Sequence, residues 1–517
     1  MSTLFDAMWA GDDAVVRALR DGADPEGRSG EGETPLYQAS VQNRPATVRL
    51  LLAAGADPGR ASGTDAVDLP LCGAACGGHA EVVRALLAAG AAPDQEEEFG
   101  YTALAWAVRL GHTEVARELL AAGADPGRPG PDGLAPLTAA ARRGSPSLVR
   151  ALLEYGAGRD RRAAAGALDE ARRWIGVDMA AVLRRGLLDG GDGGGGAGDT
   201  YEAVVRRVPE DGGITVVVEL LRADGAPGRG DERQTGHAAI ATLLEGALGL
   251  PVVPEELAGR ALRCGDPEQE DWTTAVAALT ERAGAADPAG SSGTSVVSAA
   301  ATGWCADPEP LRRAFGARVL GALPGGGAGA VEVLRGLAAR CAEAYRSADA
   351  RALGAREPAL SAAVALGRLA DPGAVPELLG LAGHPDPEVR QQVGAALAGL
   401  VPGGDAVATG VLVRLSRDPV PRVRDWATLA LAELPDDTPV VRDALAARLA
   451  DPDPETAAEA ARGLALRQDP RAVEALAAIL ADGDTEGPAR ETALAALDHL
   501  ADPRVRTRLE WTLPRGH

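Results

Sequence analysis

The sequence predicts an all-α protein built as two α-solenoids in tandem, and three observations predict it. The triplet Gly-Ala-Asp or a near copy recurs at Gly22, Gly55, Gly90, Gly123 and Gly156, at intervals of 33, 35, 33 and 33 residues. A different register runs near the end, where Arg390, Arg424, Ala457 and Arg490 are spaced 34, 33 and 33 residues apart. Hydrophobic residues make up 46% of the 517 but aromatics only 3%, so the apolar surface is Ala, Leu and Val, which suits thin layers of closely approaching helices. A chain of this length exceeds one hydrophobic core and must form several domains or an elongated array.

The first register carries a second marker in phase. Leu36, Leu71, Leu104 and Leu137 follow Thr34-Pro35, Leu69-Pro70, Thr102-Ala103 and Ala135-Pro136, and each opens a short Ala-rich stretch. In the copy from Thr102 to Asp125, Thr102 is suited to cap a helix starting at Ala103, with Leu104, Ala107 and Val108 as its inner stripe and Gly111 as its stop. A second helix runs from about Thr113 to Ala122 on a stripe of Val115, Ala116, Leu119 and Leu120, and Gly123 ends it in a left-handed conformation. Such a pair cannot bury both faces alone, so its neighbours must stack on it.

On these residues the segment resembles ankyrin repeats: a Thr-Pro-Leu helix start, an Ala-Ala pair, Gly-His, a Val-Val-x-x-Leu-Leu helix and Gly-Ala-Asp are matched by Leu71 to Ala92 and Thr102 to Asp125. The likeness gives an ankyrin domain over residues 1–188, of about five repeats plus a helical cap formed by Ala163 to Leu188. Asn43-Arg44 stands where Gly-His is expected, and Gly158 where the last Asp is expected, which predicts looser turns in the second and fifth units. Residues 189–200, with their run of glycines, have little to bury and are expected to be a linker. A phosphate loop would need a following Lys and Ser or Thr, and neither is present.

From Tyr201 onward the chain reads as Leu- and Ala-rich helical segments broken by Asp-Pro. Val389, Val423, Thr456 and Ala489 precede the second register, and Leu397, Leu431, Leu464 and Leu497 follow it by seven residues. Asp386-Pro387 and Asp453-Pro454 stand where Asp caps a helix and Pro fits its first turn. The phrase Asp-Pro-Glu-Val-Arg with Ala-Leu seven positions later resembles HEAT-like repeats of the phycobilin-lyase type, well from Pro358 to the end and more weakly back to residue 201. The expected domain is 201–517. That resemblance implies Asp-Arg pairing between stacked units at Asp386, Arg390 and Arg424.

Composition narrows the partners. A net charge of −22 repels phosphate backbones and anionic lipid, so neither nucleic acid nor a membrane is expected. The chain has no lysine and one asparagine, Asn43, as a high-GC bacterial genome would encode. Five scattered cysteines make no disulfide framework, no basic-apolar leader opens the chain, and no run is long enough to span a bilayer, so a cytoplasmic monomer is expected.

No catalytic or cofactor site is expected. Cys72, Cys76 and His79 have helical spacing for a metal, but ankyrin register explains all three and no fourth ligand is evident. The six histidines stand beside no nucleophile motif, and no carboxylate pair stands out as acid and base. The resemblance instead implies protein binding through hairpin tips, here Arg28, Arg60, Gln95, Glu97, Phe99, Arg128 and Asp132, and through first-helix positions Trp9, Gln42, Arg109, Arg142 and Arg143. Trp9 equally suits a role covering the open end of the stack. The leading expectation is a non-catalytic scaffold for an unidentified protein partner. The alternatives are a bilin-lyase-like or other HEAT-repeat enzyme and a nucleic-acid-binding HEAT protein, the latter opposed by the acidity.

Overall fold

The computed structural model describes residues 4–97, 100–189, 202–210, 213–222, 225–251, 253–284, 293–324, 329–347, 356–481 and 487–512. By packing the chain divides into two compact units at Ala278 and Leu279. The expected linker, apart from Asp189, lies outside the described residues.

The first unit opens with five helical pairs: α1 (Leu4–Ala10) with α2 (Asp12–Arg20), α3 (Pro35–Val41) with α4 (Pro45–Ala53), α5 (Pro70–Cys76) with α6 (Ala80–Ala88), α7 (Ala103–Leu110) with α8 (Thr113–Ala121), and α9 (Pro136–Arg143) with α10 (Pro146–Glu154). Thr34, Thr102 and Ser145 cap α3, α7 and α10 by accepting from the N–H groups of Tyr37, Ala105 and Leu148. The five triplet glycines all take positive φ, between 88° and 96°, which only glycine adopts at no steric cost. Asn43 takes the same region at φ 53°, so the second unit's turn keeps the form of the others, asparagine being the side chain that tolerates it best.

Next come α11 (Arg161–Trp174) and α12 (Met179–Asp189), then three strands, β1 (Glu202–Glu210), β2 (Gly213–Leu221) and β3 (Pro227–Gln234), then α13 (His237–Ala247), α14 (Pro254–Cys264) and α15 (Glu270–Gly284). The sheet corrects the reading of everything after residue 201 as helical. It is antiparallel in the order β1-β2-β3. The run Ile214-Thr215-Val216-Val217-Val218 is β-branched, stiff at χ1 and favoured on a pleated surface. Val216 and Val218 are buried with Met179, Ala180 and Leu183 of α12, so this half of the expected cap covers the sheet instead of ending the stack.

The stack continues beyond the cap. α11 packs on α9, α13 packs on α10, and α11 and α13 pack on each other. Ile240, Ala241, Leu244 and Leu248 belong to the same core as Ala164, Ala167 and Leu168. Gly236-His237 stands at the start of α13 as Gly78-His79 and Gly111-His112 stand just before α6 and α8. α11 and α13 are therefore a sixth pair, and residues 175–235 are an insertion between its two helices. This moves residues 202–278 out of the expected 201–517 domain.

Side chains bind the stack along one line. The last carbonyls of a helix have no N–H of their own to accept from. His79 Nε2 donates to the Val41 carbonyl at 3.0 Å, His112 Nε2 to that of Cys76 at 3.0 Å, and Arg143 Nη1 to that of Arg109 at 3.0 Å. Arg44 reaches Met8 in the same way. The backbone of Arg142 is the hydrogen-bond partner of His237. Each acceptor lies near the end of a preceding first helix.

In the second unit α16 (Gly293–Cys305) precedes α17 (Pro310–Ala322), α18 (Ala330–Arg346), α19 (Arg356–Leu369), α20 (Val375–Leu381), α21 (Pro387–Leu397), α22 (Ala406–Leu415), α23 (Pro421–Glu433), α24 (Pro439–Ala446), α25 (Pro454–Leu466), α26 (Ala472–Ala481), α27 (Pro488–Leu497) and α28 (Pro503–Glu510). The odd-numbered helices from α17 to α27 pack each on the next odd one. Asp386 and Asp453 cap α21 and α25 with proline in the first turn. The Asp-Arg pairing is present: Arg356 meets Asp386 at 2.8 Å, Arg390 meets Asp418 at 2.7 Å, and Arg424 meets Asp451 at 2.7 Å. Arg390 and Arg424 also donate to carbonyls of the loops before their own helices. Burial alone would raise the Asp418 and Asp451 carboxyls, yet Arg390 and Arg424 outweigh it and hold both below the usual carboxylate range.

Two outcomes follow. Arg424→Ala leaves the Asp451 carboxylate, 1% exposed, without its main partner. Urea unfolding should show a loss of roughly 3 kcal/mol, and a loss under about 1 kcal/mol would reduce the pair to a surface contact. His237 is 2% exposed, and burial lowers its pKa to about 4 against the opposing pull of the Arg142 backbone bond. Its pKa falls on folding, so its contribution is complete above the unfolded value near 6.5 and is lost as pH drops toward 4. The thermal midpoint should decline across that window, by the equivalent of about 3 kcal/mol from this group, and His237→Phe should flatten the decline. An unchanged slope in the variant would remove His237 as its source.

Candidate functional site

The described residues of the first unit enclose a cleft of about 500 Å³ between α7, α9, the hairpin tip before α9, and β3. Ala105 and Ala139 contribute apolar surface from the two helices, and Leu134 from the tip. Of the expected binding residues, Arg109, Asp132, Arg142 and Arg143 are brought together here.

Their environments differ. Arg109 is exposed, donates to the Tyr101 hydroxyl at 2.5 Å, and its guanidinium carbon lies 5.8 Å from the Tyr101 ring centroid. The Tyr101 ring stacks in turn on Trp106 at 4.2 Å. Among the described residues Arg109 makes no ion pair. Arg142 is also exposed but bound to Glu170 at 2.8 Å, a carboxylate only 9% exposed. Burial would raise Glu170, but Arg142 and the Trp174 indole lower it below the usual range. Arg143 is 14% exposed, tied to the Arg109 carbonyl and to Glu232 of β3 at 3.3 Å, so it is more a structural link than a free group. Asp132 accepts from the Leu134 N–H at 3.1 Å and thereby shapes the tip.

The remaining tip residues mostly join one repeat to the one before. Arg60 pairs with Glu26 at 3.0 Å, Gln95 donates to the Gly59 carbonyl at 3.0 Å, and Arg128 pairs with Glu96 at 2.5 Å. Arg28 donates forward to the Ala61 carbonyl at 3.0 Å and within its own tip to Gly32 at 2.7 Å. Glu97 accepts from the Trp106 indole and the Cys72 thiol, and burial raises its carboxyl. Phe99 lies outside the described residues. Gln42 is exposed, and Trp9 is 71% exposed with the Arg44 guanidinium 5.9 Å from its ring centroid.

Cys72 is buried and its thiol is raised by burial first and then by Glu97, while His79 is committed to the Val41 carbonyl. Among the described residues no group of three His, Cys, Asp or Glu could hold a metal, and no helix is long and apolar enough to cross a membrane. Sequence reasoning missed Tyr101 and the wall made by Asp231, Glu232 and Arg233. Tyr101 stands directly before the capping Thr102, which places it at the mouth of the groove. The strand carries no periodic signal that points to it.

Comparison with known proteins agrees with this architecture. A model of the ankyrin repeat matches residues 31–62, a model of ankyrin repeats in three copies matches 71–163, and a model of HEAT repeats matches 356–432 and 442–513. No curated protein matches the chain. The matches place ankyrin repeats within residues 31–163 and HEAT repeats within residues 356–513.

Proposed function

We propose that the chain is a non-catalytic scaffold that holds a partner protein on the open first-helix face of its ankyrin array, at the cleft beside Arg109. Ankyrin and HEAT repeats are typical protein-interaction scaffolds. Their specificity lies in surface side chains and not in the fold. The observation that carries the reading is the cleft itself, about 500 Å³ on this face, where apolar side chains such as Ala105, Leu134 and Ala139 alternate with charged ones such as Arg109, Arg142 and Asp132. Tyr and Arg, which meet at its mouth, are the residue types enriched at interface hot spots. The net charge of −22 favours a protein over nucleic acid or anionic lipid. The free thiols at Cys72, Cys76, Cys264, Cys305 and Cys341 suit a monomer in the reducing cytoplasm.

A photo-crosslinking residue placed singly at Gln42, Arg142, Arg49 and Arg117 tests the reading in native extract. The first two stand on or next to first helices, and the last two lie on α4 and α8. One partner band captured from Gln42 and Arg142 and absent from Arg49 and Arg117 is the expected result. Equal capture from all four positions, or capture only from α4 and α8, would overturn it.

A further inference from the structure

The cleft's own geometry speaks to the chemistry of the partner, an inference that rests on the reading of this face as the binding face. Successive side chains of a strand point to opposite sides of the sheet, so a sheet face would offer only alternate residues. Asp231, Glu232 and Arg233 all border the cleft, so β3 presents its outer edge. Strand addition is obstructed there, because the Glu232 N–H already donates to Asp231 Oδ1 at 2.8 Å. Recognition on that wall therefore runs through side chains.

The chain itself shows what the arginine row accepts. Arg142 holds Glu170, and Arg143 holds Glu232, a carboxylate delivered on an extended strand. Arg109, one repeat earlier and in the equivalent helical position to Arg142, has no carboxylate among the described residues. Its guanidinium is already oriented by the Tyr101 hydroxyl and ring, so less freedom is lost when a partner binds. Asp132, Asp231 and Glu232 on the rim would repel a run of acids, and Ala105, Leu134 and Ala139 offer apolar contacts on either side.

We propose that this cleft binds an extended segment of the partner that carries a single carboxylate flanked by apolar side chains, with the carboxylate forked onto Arg109. Nothing covalent is involved. The bond is a charge-assisted pair set against an aromatic ring, a geometry that lysine would not reproduce.

The probe is a library of random heptapeptides displayed on phage, selected on the immobilised full chain. The expected enrichment is one Asp or Glu between apolar residues. A synthetic peptide of the selected sequence should bind the Arg109→Gln chain roughly tenfold more weakly. The same peptide with Asn or Gln for its acid should lose as much on the unmodified chain, and nothing further on Arg109→Gln. Circular dichroism should be unchanged, since Arg109 is exposed. Selected peptides without an acid, acidic peptides indifferent to Arg109→Gln, or no enrichment would each overturn the proposal. Those results leave the scaffold reading standing if crosslinking from Gln42 and Arg142 captures a partner. Failure of that crosslinking overturns the scaffold reading itself.

Discussion

A first helix in the ankyrin array ends with carbonyl groups that no helical N–H can reach, and the arrangement of the whole unit depends on how they are satisfied. Water could serve each of them singly, but it would not connect one repeat to the next. Instead a side chain from the following repeat donates to a carbonyl near the helix end: Arg44 to Met8, His79 to Val41, His112 to Cys76, and Arg143 to Arg109. Each bond stabilises modestly by itself, on the order of 1 kcal/mol. Its larger effect is registry, because the acceptors Met8, Val41, Cys76 and Arg109 occupy equivalent helix positions; Arg44, His79 and His112 donate from the cap of the second helix, and Arg143 does so from the end of its own first helix. Arg109 stands in the cleft with its carbonyl bound on one side and its guanidinium turned onto Tyr101 on the other.

The HEAT repeats solve the corresponding problem with charge. Arg390 and Arg424 each bridge loop carbonyls of their own repeat and the carboxylate of the next, so one guanidinium connects three chain segments. The fork geometry of arginine permits this, and the near-complete burial of Asp451 makes the bond costly to break. At the next register position stands Ala457, which has no guanidinium to make the corresponding pair.

Much of this was legible in the sequence because it is periodic. The triplet glycines, Thr102 as a cap, Gly111 and Gly123 as stops, and Asp386 and Asp453 as caps are local signals whose physics does not depend on distant residues, and the structure places them as expected. The insertion was not legible, because a single interruption has no period. The β-branched run from Ile214 to Val218 was a strand signal, outweighed by the Ala and Leu texture around it. Gly236-His237 followed by Ile240 and Leu244 repeats the pattern of Gly78-His79, but it stands far from the expected interval after Gly156. For the candidate binding residues, the helical register puts Arg109 and Arg142 at equivalent positions, and both line the cleft. It could not tell that Arg142 and Arg143 have carboxylate partners, since Glu170 and Glu232 come from α11 and from the insertion.

With α13 completing a sixth pair, the ankyrin stack runs past its expected cap and carries the inserted sheet to the cleft. Native-state hydrogen exchange measures this directly. Amides of α13 from Ile240 to Ala247 should open with the same free energy, and respond to denaturant with the same slope, as those of α9 and α10, because they share one core. Exchange of α13 at a markedly lower free energy, with α9 and α10 still protected, would contradict a continuous stack and return residues after 201 to a separate domain.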